Sequence, residues 1–112
     1  TSGRNLAVEE LTIRKRDLGY SGGIEYRAHV QNIGWQKWVK NGKVAGTTGK
    51  SLAVEAVEIK LTGDLAKHYD VVYRAHVQSL GWLDWVKSGE CAGTTGEALH
   101  LEALEVRLVE KS

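Results

Sequence analysis

Apolar and polar residues alternate without a break over residues 26–31 and again over residues 73–78. In a strand, Tyr26, Ala28 and Val30 fall on one face and Arg27, His29 and Gln31 on the other. A glycine follows each run, Gly34 or Gly81, and permits a bend or bulge before Trp35 or Trp82. Lys40-Asn41-Gly42-Lys43 and Lys87-Ser88-Gly89-Glu90 are hairpin-turn signals, and Ala-Gly-Thr-Thr-Gly at 45–49 and 92–96 marks a second turn. The stretches beyond it alternate too, but their phase slips. Leu52 and Val54 give way to Val57, Ile59 and Leu61; Leu99 and Leu101 give way to Leu104, Val106 and Leu108; Leu6 and Val8 give way to Leu11 and Ile13. A period of two that slips by one residue predicts a β-bulge. A helix is the rival, because Leu101, Leu104 and Leu108 also suit helical spacing. The Val and Ile content and the Gly-ended entry turn favour the strand. Residues 17–23 and 62–70 read as spacers, and nothing calls for a helix longer than one turn.

This pattern is written twice. Tyr-Arg-Ala-His-Val-Gln, Gly-Trp and Trp-Val return unchanged 47 residues on (Tyr26 to Tyr73), and Ala-Gly-Thr-Thr-Gly, Leu and Glu-Ala follow in step. The N-terminus adds part of a third copy, for Gly3-Arg4-Asn5-Leu6-Ala7-Val8-Glu9 reads like Gly49-Lys50-Ser51-Leu52-Ala53-Val54-Glu55. The chain therefore divides into the rear half of a first repeat at 1–16, a second repeat at 17–63 and a third at 64–112, within a single domain. The predicted fold is all-β. Hairpin units of this length suggest a pseudo-threefold repeat of short antiparallel hairpins, β-prism-like, with a β-trefoil as the alternative. Leu6, Leu11 and Ile13 lack a front half of their own. An exposed apolar stripe recruits another chain, so self-association is expected, most simply a twofold dimer. The rival is a monomer whose N-terminal strand covers itself by adding to the edge of a neighbouring unit.

The repeated motif of Gly-Trp, Trp-Val three residues on, Ala-Gly-Thr-Thr-Gly, Leu and Glu-Ala before an apolar tail resembles the ChW repeat, the clostridial hydrophobic repeat with a characteristic tryptophan. That resemblance implies a secreted or cell-surface protein of Gram-positive bacteria with a role in surface attachment or binding. It carries over no set of functional residues.

Composition narrows the partners. A net charge of +1 with both signs interspersed argues against nucleic acid, and no apolar run is long enough to span a bilayer. With no Phe, Met or Pro, four Trp and four Tyr supply all the aromatic bulk. The single Cys91 stands where the other copy has Val44, and reads as a small core residue. The chain opens in mid-repeat, so the lack of a visible signal peptide is silent on secretion.

Arg27, His29, Gln31 and Trp35, with Arg74, His76, Gln78 and Trp82, form the candidate ligand-binding set. Planar polar groups beside an aromatic face suit a saccharide, whose hydroxyls and C–H surface they match. The plainer reading makes the polar trio a solvated face and the Trp core; Trp38 and Trp85 are expected in the core. Arg and His also have a partner within reach in the Glu that recurs as Glu9, Glu55 and Glu102. A carboxylate at the phase slip suits the backbone N–H groups that a bulge frees. His29 and His76 have no second ligand at metal spacing, and Thr-Thr-Gly lacks the Lys and helix of a phosphate cradle. No cofactor, metal or catalytic residue is expected. The sequence points to a non-catalytic module that binds carbohydrate or cell-wall glycan. The alternative is a protein-binding or structural surface repeat.

Overall fold

The computed structural model describes residues 10–11, 19–40, 42–46, 52–95 and 99–111. Two long strands organise it. β2 (Ile24–Val30) and β7 (Tyr69–Val77) bury alternate residues along the repeated motif, as the sequence pattern requires. Each is flanked on both edges. On one side lies a broken return strand, β3 (Gly34–Trp35) and β4 (Val39–Lys40) against β2, β8 (Gly81–Trp82) and β9 (Val86–Lys87) against β7. On the other lies the rear strand, β6 (Val54–Leu61) against β2 and β11 (Leu101–Glu110) against β7, all antiparallel.

The rear stretches are strands, not helices. Their phase slip is a bulge at the expected residue. His29 and Val30 pair with Ala56 and Val54, leaving Glu55 extra; His76 and Val77 pair with Ala103 and Leu101, leaving Glu102 extra. The bulge lets Val54 and Val57 both turn inward. The core is built from the repeated positions: Tyr26, Ala28 and Val30 with Val54, Val57 and Ile59, and Tyr73, Ala75 and Val77 with Val71 and Leu101.

The turn at residues 40–43 closes as expected, with Lys43 N–H donating to Lys40 C=O, and Glu90 N–H donates likewise to Lys87 C=O. Neither turn makes a hairpin. After it, β5 (Ala45–Gly46) leaves its own unit and pairs with β1 (Glu10–Leu11) of the preceding one. β10 (Cys91–Gly93) does the same with β6. The two joints share one register, Leu11 opposite Ala45 and Val57 opposite Ala92. Units thus follow one another in series. All-β architecture holds, while threefold closure is not among the contacts of the described residues. The N-terminal strand, at Glu10 and Leu11, covers itself against the neighbouring unit; Leu6, Ile13, Glu9 and Asn41 lie outside the described residues.

One spacer departs from expectation. Residues 62–70 contain α1 (Gly63–His68), longer than a single turn, anchored by buried Leu65. Asp64 sits in its first turn and Lys67 and His68 in its last, the charge order that a helix dipole favours. α1 carries the chain from the five-stranded sheet to the four-stranded one. Among the described residues no helix is long and apolar enough to cross a membrane.

Candidate functional site

The polar face of β2 is a ladder of rungs running across three strands. Trp35 lies opposite His29, and the bulged Glu55 closes that rung from the far side. Glu58 lies opposite Arg27, and Lys60 opposite Glu25. Trp38 completes the Arg27 rung through a second irregularity. Because His29 pairs with Trp35 and Tyr26 with Val39, the two residues Arg27 and Ala28 face three, Gln36, Lys37 and Trp38. That extra residue is a bulge in the return strand, and it puts Trp35 and Trp38 on one face despite their odd spacing. β7 repeats the arrangement, with His76 opposite Trp82 and Tyr73 opposite Val86.

The contacts repeat almost atom for atom. Arg27 Nε donates to Glu58 Oε1 at 2.7 Å, with a guanidinium nitrogen 2.6 Å from the same oxygen. The Arg27 guanidinium lies 4.7 Å from the Trp35 ring centre and 5.0 Å from Trp38, so both indoles flank one cation. Lys60 Nζ sits 4.4 Å from the Trp38 ring. In the second unit Arg74 bonds Glu105 at 2.6 Å, lies 4.6 Å from Trp82 and 4.8 Å from Trp85, and Arg107 is 4.9 Å from Trp85.

His29 meets Trp35 edge-on at 5.2 Å, and His76 meets Trp82 at 5.1 Å. Each histidine sets Nδ1 3.0 Å from its bulge carboxylate, Glu55 or Glu102. Neither Nδ1 makes an aligned hydrogen bond, so this is a close approach rather than a directed bond. The recurring Glu of the bulge therefore pairs with His, while Arg takes the second Glu, three residues on. His100 Nε2 stands 3.9 Å from Glu102, a neighbour that the first unit lacks.

The structure thus gathers Arg27, His29 and Trp35, and Arg74, His76 and Trp82, as anticipated. Gln31 and Gln78 stand apart. Both strands end one residue earlier, and Gln31 Oε1 accepts a bond from Ala53 N–H at 3.3 Å. Trp38 and Trp85 are not core; Trp82 and Trp85 are 38% and 36% exposed. The missed members are Trp38, Trp85, Glu58, Glu105, Lys60 and Arg107. Val39 was their signal: an inward Val39 beside Tyr26 obliges Trp38 to face out. Cys91 is exposed rather than core, and its thiol is pushed above its ordinary range by desolvation and then by the Glu58 charge. Among the described residues no three His, Cys, Asp or Glu side chains are placed to share a metal.

Comparison with known proteins returns one family. The sequence signature of Clostridial hydrophobic W (ChW) matches residues 29–63 and again 76–110. No curated protein and no solved structure matches the chain. The matched stretches start at His29 and His76, run through both tryptophans, both turns and the rear strand of each unit, and cover more than half of the residues, so the chain belongs to the ChW repeat family.

Proposed function

We propose that the chain is a non-catalytic binding module of a secreted or cell-surface bacterial protein, with one glycan site per unit on the Trp-Arg-His face. The observation that carries this reading is the pair of indoles left open to solvent on each polar face, most clearly Trp82 and Trp85. Large aromatics gathered on a surface beside fixed polar groups suit a sugar ring, which takes a π-face for its C–H surface and planar polar groups for its hydroxyls. Arg74 holds both rings in place, and Glu105 and His76 line the same face.

A second reading has an observation of its own. Arg27 and Arg74 are engaged by a Glu and two rings of their own unit, which suits a structural ladder or a protein-binding surface without a sugar site. Titration against a glycan panel and purified Gram-positive cell wall separates the two. Under the glycan reading, Trp82→Ala with Trp85→Ala weakens binding at least about tenfold while the far-ultraviolet spectrum stays unchanged. No binding by the intact chain, with the double variant only less stable, would establish the structural reading.

A further inference from the structure

The joint between units has a matching acceptor strip in the second unit. At the internal joint, β10 lies along the outer edge of β6 over five residues. Thr94 N–H donates to Glu55 C=O, Gly93, Ala92 and Cys91 oppose Ala56, Val57 and Glu58, and Gly89 N–H donates to Ile59 C=O. The Tyr73 hydroxyl locks the end of this strip, accepting from Ile59 N–H at 3.1 Å and also contacting the Ile59 and Glu90 carbonyls. Under this cover Ala56, Val57 and Ile59 are fully buried.

β11 repeats that strip as Ala103, Leu104, Glu105 and Val106. Yet among the described residues no strand pairs with its outer edge, and those residues are part exposed. An apolar strand edge is a template for pairing. The opposite end of the chain carries the matching donor. β5 and Tyr26 repeat β10 and Tyr73, and in the described residues β5 is covered by the two-residue strand β1. We infer that β11 of one copy docks on β5 of a second copy, replacing β1, with Ala45 opposite Leu104 and Val44 opposite Glu105. The contact joins unlike surfaces, so it adds copies head to tail rather than closing a twofold pair. It rests on the joint geometry alone and holds whatever the Trp-Arg face binds.

The register gives the test. Directly opposed strand residues lie within disulfide reach. The full chain carrying Val44→Cys and Glu105→Cys, with Cys91→Ser, is oxidised at rising concentration and resolved under non-reducing conditions. Covalent dimers and higher multiples are expected, with peptide mapping joining position 44 of one copy to position 105 of another. A shifted pair, Val44→Cys with Arg107→Cys, is expected to cross-link at least about tenfold more slowly. Leu104→Pro removes an N–H on the outer edge and should leave the unmodified chain monomeric in sedimentation. Should that variant misfold, Val106→Lys puts a charge in the same strip and is expected to do likewise. Equal cross-linking by the matched and shifted pairs, or a chain that stays monomeric at millimolar concentration and never cross-links, would overturn the proposal.

Discussion

β6 and β11 carry nearly the same residues, Val-Glu-Ala-Val-Glu-Ile against Leu-Glu-Ala-Leu-Glu-Val, and live in different surroundings. Both pair with the long strand of their own unit through the same bulge. Among the described residues, β6 has the next unit on its outer edge and β11 has no strand there. Val57 is fully buried where Leu104 is part exposed, and the Glu58 side chain is 16% exposed against 40% for Glu105. Burial of a rear strand is therefore a property of the following unit more than of its own sequence. Repeat proteins gain stability from neighbour interfaces in this way.

The strongest way to break the comparison is to remove the cover from β6. Gly93 has φ of +111°, and a Cβ there would stand 2.4 Å from the Glu55 carbonyl oxygen and 2.8 Å from Ala56 Cα. Both obstacles are backbone. Gly93→Val should cost about 3 kcal/mol or more, read by denaturant unfolding, because strain and lost pairing add. Gly81→Val is the control. Its φ is also positive at +78°, but nothing lies within 4 Å of a new Cβ, so a smaller loss is expected.

Tyr73 sharpens the same contrast. Its hydroxyl bonds Ile59 of the preceding unit and the Glu90 carbonyl, and burial pushes its pKa up to about 12. Tyr73→Phe leaves those groups short of a partner and should cost about 1–3 kcal/mol. The pH dependence has a definite sign. Unfolded Tyr releases its proton near pH 10, whereas the folded chain holds it to about 12, so the stabilisation is complete below pH 10 and falls as pH rises through that window. The slope is about 1.4 kcal/mol per pH unit there. Tyr73→Phe should flatten it, as measured by urea titrations from about pH 8 to 12.

Much of this was legible in the chain. The alternation over residues 26–31 gave the face of each β2 residue from Tyr26 to Val30, and the slip after Val54 placed the bulge at Glu55. Both signals are local, because strand periodicity and a one-residue insertion act on neighbours. The handover of the Ala-Gly strand was not legible. Turn chemistry reports only that the chain reverses, and the choice of sheet is made by partners far along the chain. Trp38 was misplaced for a related reason, since a bulge in the return strand is visible only against the register of β2. Cys91 followed from that handover, as its position is set by the edge of β6.

The smallest effect tests the comparison on the binding face itself. Arg27–Glu58 and Arg74–Glu105 have the same geometry, and in both units the guanidinium side chain is 29% exposed; only the carboxylates differ. Exposed ion pairs contribute about 0.2–1 kcal/mol, with less solvent screening as water is excluded. Glu58→Gln should therefore destabilise by about 1 kcal/mol, and Glu105→Gln by about half of that or less. Added salt should narrow the gap chiefly by weakening the exposed pair in the parent chain. Equal losses, measured by urea unfolding at low salt and at about 0.5 M, would mean that the two indoles flanking each Arg, not the neighbouring unit, set the environment of the pair. Under that outcome the second unit's face would be as well shielded as the first, and covering β11 would leave the Arg74 pair unchanged.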